Sequence, residues 1–305
     1  MTRYREMCAD LAGRISAGEL PAGAELPGVR ELAQRFATTA STVGRAQRVL
    51  ADAGVIVTAD RRRARVARDG ALAARRFLHA ERVFRLAGSD DPALDVLTRH
   101  LGRAVQSVGA DGSFGGLRAL RQGRADGAAV HLMHHSGVYN APFARGLLRG
   151  WRPHLIHLWR REQGLIVPPG NPRGLATAAD LAPLRMARRG PGTGTRVLLD
   201  RLLLAAGRDP DAVRGPETGS HLETALAVAA GVADAGLGVR SVARDLDLDF
   251  VPLVTEDYDV VLAADALEAA TPLVAALHDD GVRAAIGELG GYDTAGSGRV
   301  DALGP

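Results

Sequence analysis

Apolar residues recur at helical spacing from the start of the chain: Tyr4, Cys8, Leu11 and Ile15 form one stripe, and Gly18 follows as a C-terminal cap. Leu20-Pro21-Ala22-Gly23 reads as a turn, and after Leu26-Pro27 a short second helix carries Val29, Leu32, Ala33 and Phe36 on its apolar face. Thr39 is placed to N-cap a third helix, with Val43, Ala46 and Leu50 inside and Ser41, Thr42, Arg45 and Arg48 outside. Gly54 ends it. Val55-Ile56-Val57 and Arg65-Val66-Ala67 then read as two short strands joined by Asp60-Arg61-Arg62-Arg63, a hairpin wing after three helices. The pattern predicts an α+β winged helix-turn-helix over residues 1–68, and residues 69–80 read as a short linker.

Beyond it, over residues 81–305, the pattern becomes α/β. Val83 to Ala87 is strand-like, Gly88-Ser89-Asp90-Asp91 is a turn, and Pro92 starts a helix containing Leu94, Val96, Leu97 and Leu101. That turn falls at the carboxyl end of a strand, where open α/β sheets bind ligands, so Ser89 and the helix-start amides are candidate contacts. Gly123-Arg-Ala125-Asp126 and Gly231-Val-Ala233-Asp234 form a weak internal repeat, each joining a helix to a buried strand. A repeated unit of this kind implies two lobes facing a cleft.

Charge separates the same two regions. All 38 basic residues are arginine. Residues 1–70 hold 12 Arg against 8 acidic residues and the remainder holds 26 against 27, so the net +3 divides into +4 and −1. A small basic region on a near-neutral larger one suggests nucleic acid at one end and another partner at the other. The single cysteine, Cys8, rules out an intramolecular disulfide, and neither a signal-peptide core nor an uninterrupted apolar span occurs, which places the expected protein in the cytoplasm with no membrane partner.

In the first region the run Gly18 to Gly23, then Leu26-Pro27-Gly28-Val29-Arg30-Glu31-Leu32-Ala33, then Thr39 to Leu50, resembles the GntR-type winged helix. The resemblance implies binding to double-stranded DNA, usually an inverted-repeat operator held by a homodimer, through Arg30 on the second helix and Thr39, Ser41, Thr42 and Arg45 at the start of the third. The wing departs from the family, carrying Arg61, Arg62 and Arg63 in place of Gly-x-Gly; these arginines suit a narrow minor groove or phosphates.

The larger region resembles periplasmic-binding-protein-like (type II) domains related to molybdate-binding proteins, on motifs that include Gly88 to Pro92, Ser113 to Leu117, His131-Leu132, Gln163 to Ile166, Gly192 to Asp200, Ser220-His221 and Glu256-Asp-Tyr258. A small-molecule effector is implied, molybdate or a similar oxyanion, with a small organic acid or cofactor precursor as the alternative. Ser89, Asp90, Ser113, Thr193, Thr195, Arg196, Ser220, His221 and Tyr258 are the expected ligand contacts. Met133-His134-His135 and Arg188-Arg189-Gly190 stand where the family often has an acidic residue and Asn-Arg-Gln.

Gly190-Pro-Gly192-Thr193-Gly194-Thr195-Arg196 precedes a helix and so reads as an anion cradle of amides and hydroxyls, without the Gly-Lys-Ser/Thr ending of a nucleotide-hydrolysing loop. Absence of lysine excludes pyridoxal phosphate held as a Schiff base, a chemistry sometimes fused to this winged helix. His131, His134 and His135 match no standard zinc spacing. Ser113, His221 and Asp126 make a hydrolase triad only on paper, since no nucleophile-elbow sequence exists. The reading is a regulator without metal, cofactor or catalytic residues; a plain small-molecule-binding protein and an enzyme are its rivals.

Overall fold

The protein is described here by a computed structural model covering residues 3–59, 62–80, 83–109, 111–181 and 184–304. The chain divides into two units, residues 1–83 and 84–305. In the first, α1 (Arg3–Ser16), α2 (Val29–Arg35) and α3 (Ala40–Asp52) precede an antiparallel hairpin, β1 (Ile56–Val57) with β2 (Arg65–Val66), and α4 (Gly70–Ala80) follows. Cys8, Leu11 and Ile15 of α1, Leu32 of α2, and Val43, Ala46 and Leu50 of α3 meet in one core. The Thr39 hydroxyl caps α3 by accepting the Thr42 amide at 3.3 Å. Val29, expected inside, is 39% exposed because it opens α2, before the helix turns its face to the core.

Residues 69–80 are more than a connector. Ala74 of α4 is buried in the first core, with Phe77 and Leu78 packed against it. Gly70 allows that approach: a Cβ there would lie 2.6 Å from Val66 Cγ1 and 2.7 Å from the Val55 carbonyl oxygen.

The second unit opens with β3 (Phe84–Gly88), α5 (Pro92–Leu101), β4 (Val105–Ser107), α6 (Gly112–Arg121), β5 (Gly127–Val130) and α7 (Ala141–Leu147). A long β6 (His154–Val167) leads into β7 (Met186–Arg189), α8 (Gly194–Ala205), β8 (Glu217–Thr218), α9 (His221–Ala229), β9 (Ala235–Val239) and α10 (Arg240–Asp245). A second long strand, β10 (Asp249–Leu262), is followed by α11 (Thr271–Leu277), α12 (Asp280–Glu288), β11 (Tyr292–Asp293) and β12 (Val300–Ala302). The sheet runs β4-β3-β5-β10-β6-β9-β7-β8, and β11 and β12 also pair with β6.

This order creates two lobes. In the first, β3 lies parallel between β4 and β5; in the second, β7 lies parallel between β8 and β9. The antiparallel strands β6 and β10 pass through both, Asp259–Leu262 pairing with β5 and Gln163–Ile166 with β9. A register shift between Tyr258 and Asp259 interrupts β10 near this passage, the kind of irregularity that re-aims a side chain.

The internal repeat is a structural clamp. Gly123 and Gly231 have φ of +69° and +68°. In the first lobe the Asp126 amide donates to the Arg85 carbonyl at 2.7 Å while its carboxylate accepts the Arg85 amide at 2.9 Å and the Arg85 guanidinium. Asp234 repeats each contact with Arg185 in the second lobe, again at 2.7 and 2.9 Å through the backbone. Two lobes with the same lock between neighbouring strand starts place their strand ends, and hence their loops, opposite one another.

Candidate functional site

On the first unit, burial of Val43, Ala46 and Leu50 leaves Ser41, Arg45 and Arg48 exposed on the opposite side of α3. Ser41 and Arg45 are one helical turn apart and so share a face. Arg30, Thr39, Arg62 and Arg63 are exposed too, and Thr42 is half-buried with its hydroxyl 3.0 Å from that of Thr39. Arg61 lies outside the described residues. The Arg45 guanidinium stands 4.0 Å over the Tyr4 ring, a stack that fixes its direction, whereas Arg65 is tied to Glu25 at 2.6 Å.

On the second unit, charged and polar side chains meet where the lobes face each other, and they are almost wholly shielded from water. Arg161 of β6 pairs with Asp91, and its Nε donates to Glu256 Oε1 of β10 at 2.7 Å. Gln163, two residues on and therefore on the same face of β6, donates to Glu256 at 2.6 Å and to the Thr195 hydroxyl of the second lobe at 3.1 Å. His131 Nδ1 lies 3.0 Å from Glu256. Arg189, at the end of β7, donates to Asp90 of the first lobe at 2.7 Å and to the Gly219 carbonyl at 2.9 Å. Tyr258 donates to the Ser89 carbonyl at 2.6 Å and its ring lies between 5.5 and 5.6 Å from those of His131 and Trp159.

Burial sets the protonation states. It pushes His131 and His221 below the usual histidine value; for His131 the facing Glu256 opposes the shift and Arg161 reinforces it, so Arg161 is the cation beside Glu256. Burial raises Glu256, but His131 and Arg161 outweigh it and draw the carboxyl down to about 2. Asp90 also falls to about 2, since His221 and Arg189 overcome burial. Burial prevails at Asp91, whose carboxyl is raised.

Several buried polar atoms in this region have no hydrogen-bond partner among the described residues: Arg161 Nη2, Arg189 Nε, Gln163 Oε1 and His221 Nδ1. Unmet hydrogen-bonding capacity here, with two guanidinium groups offering free donors, is the chemistry of a site that can receive a polar molecule.

The sequence profile described as "PBP superfamily domain" matches residues 95–279, and that of "Bacterial regulatory proteins, gntR family" matches residues 3–66. The chain belongs to the PBP superfamily and carries a GntR-family regulatory domain at its N-terminus. The protein YvgK of Bacillus subtilis (strain 168) is 33% identical over 223 residues, covering 70% of this chain and 72% of YvgK. Among solved structures, the sulfate-binding protein SubI from Mycobacterium tuberculosis H37Rv is similar with a TM-score of 0.50 and 15% identity, over 69% of this chain and 85% of SubI. PhnD1 from Prochlorococcus marinus (MIT 9301), in complex with methylphosphonate, gives a TM-score of 0.49 and 15% identity over 72% of this chain and 92% of PhnD1. At such identities the likeness to SubI speaks for the fold alone.

The GntR and PBP assignments make this a DNA-binding regulator with a ligand-binding domain, two families that are not enzyme families. Within the PBP-like domain, the structure gathers Ser89, Asp90, Ser113, Thr195, His221 and Tyr258 around the buried cluster; Ser113 Oγ meets Ser89 Oγ at 2.8 Å and accepts the His131 amide at 3.2 Å. Three other expected contacts are engaged locally. Thr193 and Ser220 cap α8 and α9 by accepting the Arg196 and Glu223 amides, and Arg196 pairs at 2.8 Å with Asp200, one turn further along α8. Sequence reasoning left out Arg161 and Arg189 as site residues, used Gln163 and Glu256 only as marks of the fold, and weighed His131 only as such a mark and as a metal ligand. Alternation was the available signal, because Arg161 and Gln163 fall on one face of a long strand.

Bland roles account for the other candidates. Asp126 holds Arg85, away from any role beside Ser113 and His221. His134 and His135 pack ring to ring at 3.8 Å, and among the described residues no group of three or more His, Cys, Asp or Glu could hold a metal ion. No helix among them is long and apolar enough to cross a membrane.

Proposed function

We propose that the protein is a transcription regulator whose operator affinity is set by a small polar molecule closing the two lobes over the Arg161 cluster. The observation that carries this reading is the buried set of unpartnered donors, Arg161 Nη2 and Arg189 Nε, one from a shared strand and one from the second lobe. These donors suit a carboxylate or an oxyanion. Asp90, Asp91 and Glu256 stand beside them, so carboxylates outnumber guanidinium groups in the cluster, and a dianion such as molybdate meets repulsion that a small organic acid bearing its own donor group avoids. DNA is held by a homodimer on an inverted repeat, through Arg30, Ser41, Thr42 and Arg45, with Arg61, Arg62 and Arg63 of the wing beside the same duplex. Lobe closure then alters the geometry of the paired winged helices, and linkage requires operator DNA to change ligand affinity by the same factor.

Gly194 offers the experiment. A Cβ there, on the second lobe, would stand 2.5 Å from His131 Nδ1 and 2.7 Å from the His131 carbonyl oxygen on the first. Gly194→Ala adds a methyl to the first residue of α8, where alanine favours the helix, so it opposes closure while sparing either core. First, a thermal-shift panel of sulfate, phosphate, molybdate, tungstate, amino acids and small organic acids identifies a ligand; at a hundredfold excess over Kd, binding adds about 2.7 kcal/mol. DNA affinity, on an operator selected from a random pool, is then measured with and without it. The expected result is a ligand-dependent change in the native protein that disappears in Gly194→Ala while basal DNA binding persists. An undiminished ligand response in the variant sinks the closure mechanism; no response of the native protein to any panel member sinks this ligand class.

A further inference from the structure

We propose a second binding site, lying wholly within the first lobe, for an amphipathic anion: an acyl chain ending in a carboxylate or phosphate. A cavity of about 1170 Å³ opens between α7, the turn over residues 149–153 and the end of β12. This exceeds the ~300–1,000 Å³ usual for small-molecule pockets. Its floor is apolar, with Leu148 fully buried and Leu303 7% exposed, and Leu267 on a further side. Arg145, Arg149 and Arg152 line the same cavity, and no Asp or Glu does. All three arginines are exposed, and their side chains make no ion pair or hydrogen bond with the described residues.

Two features separate this groove from an ordinary solvated surface. Outside residues 1–70 the chain holds more acidic residues than arginines, 27 against 26, yet here three guanidinium groups with no acidic partner among the described residues share one concavity. Arg152 is held at φ +49°, a left-handed conformation unfavourable to a residue with a side chain, and the neighbouring Trp151 is 42% exposed. An apolar floor under a cationic rim is complementary to a molecule with an apolar body and an anionic head, and the guanidinium fork matches carboxylate or phosphate oxygens. Because the groove lies in one lobe, it needs no closure over the Arg161 cluster.

The test uses the full-length protein and laurate, dodecyl phosphate, dodecanol and dodecyltrimethylammonium, each below its micelle concentration, with binding followed by calorimetry and by fluorescence of the exposed Trp151. Saturable binding of laurate or dodecyl phosphate is expected, and whichever binds more tightly identifies the head group. Arg145→Glu/Arg149→Glu, both on the exposed surface, is expected to weaken that binding about tenfold or more, since the double reversal turns two of the three cationic partners of the head group into repelling carboxylates. Gly194→Ala is expected to leave it unchanged. Equal binding of dodecanol, undiminished binding to the double arginine variant, or no saturable binding of either anion overturns the proposal; so does self-association of the protein that covers the groove, read by sedimentation as a concentration-dependent dimer that the double variant abolishes.

Discussion

Arg161→Met is expected to destabilise the PBP-like domain by about 3–5 kcal/mol, measured by urea denaturation of the full-length protein, because removing one member of a buried ionic cluster strands the others. Arg161 and Glu256 are each 1% exposed and Asp91 is 3% exposed, so neither carboxylate can recover hydration without opening the lobes. The pH dependence distinguishes this cause from simple loss of packing. In the native protein burial lowers His131 and His221, so the unfolded chain binds more protons; that contribution to stability is present above the ordinary histidine value and fades as pH falls through it. Glu256 and Asp90, held near 2, lose their contribution only in stronger acid.

Without Arg161, the charge that opposed His131 protonation is gone, Asp91, already raised by burial, rises further, and Glu256 loses one of the partners that hold it down. Groups with raised folded pKa stabilise at low pH and lose that effect as pH rises. The stability gap between native protein and variant is therefore expected to narrow between pH 7 and pH 5, as His131 takes up the proton and becomes the cation facing Glu256. A gap that stays constant over that range would mean that the methionine disturbs packing and that Arg161 is not the charge on which the cluster turns.

The winged helix and the two lobes were legible because each rests on local periodicity and on turn residues with few alternatives, such as Thr39 before α3 and Pro92 after Asp91. The cluster was harder to read. Trp159-Arg160-Arg161-Glu162-Gln163 looks like a charged, solvent-facing stretch, but strand alternation sends Arg161 and Gln163 inward while Arg160 stays exposed and Glu162 pairs with Arg240. Their partners, Asp91 and Glu256, are 70 and 95 residues away in sequence, so no local pattern announces the pairing. Arg196 shows the opposite case: a glycine-rich loop before a helix draws attention to its first arginine, while its partner in the structure is Asp200 at the next turn of the same helix. Gly123-Arg-Ala125-Asp126 and its counterpart were visible as a repeat without disclosing their purpose, which is to lock Arg85 and Arg185 at equivalent strand starts.

At the DNA-binding end, Arg45→Ala is expected to weaken binding to the selected operator by ~1–3 kcal/mol, about 5- to 150-fold, and to leave affinity for random DNA nearly unchanged. Geometry supports a specific role: α3 buries Val43, Ala46 and Leu50, so Arg45 stands on the outward face with Ser41, and the Tyr4 ring 4.0 Å beneath the guanidinium restricts where it points. Tyr4→Leu keeps an apolar residue on the half-buried position of α1 but removes that stack, which is worth ~0.5–1 kcal/mol at an exposed site. A smaller loss of operator affinity is expected from it, in the same direction, with random-DNA binding again preserved. Anisotropy titrations at several salt concentrations decide the matter. If Arg45→Ala lowers both affinities equally and reduces the slope of log affinity against log salt by about one, the side chain grips a phosphate and sequence is read elsewhere on α3. If Arg45→Ala shows the selective loss and Tyr4→Leu shows none, the guanidinium reads a base without needing the ring to aim it.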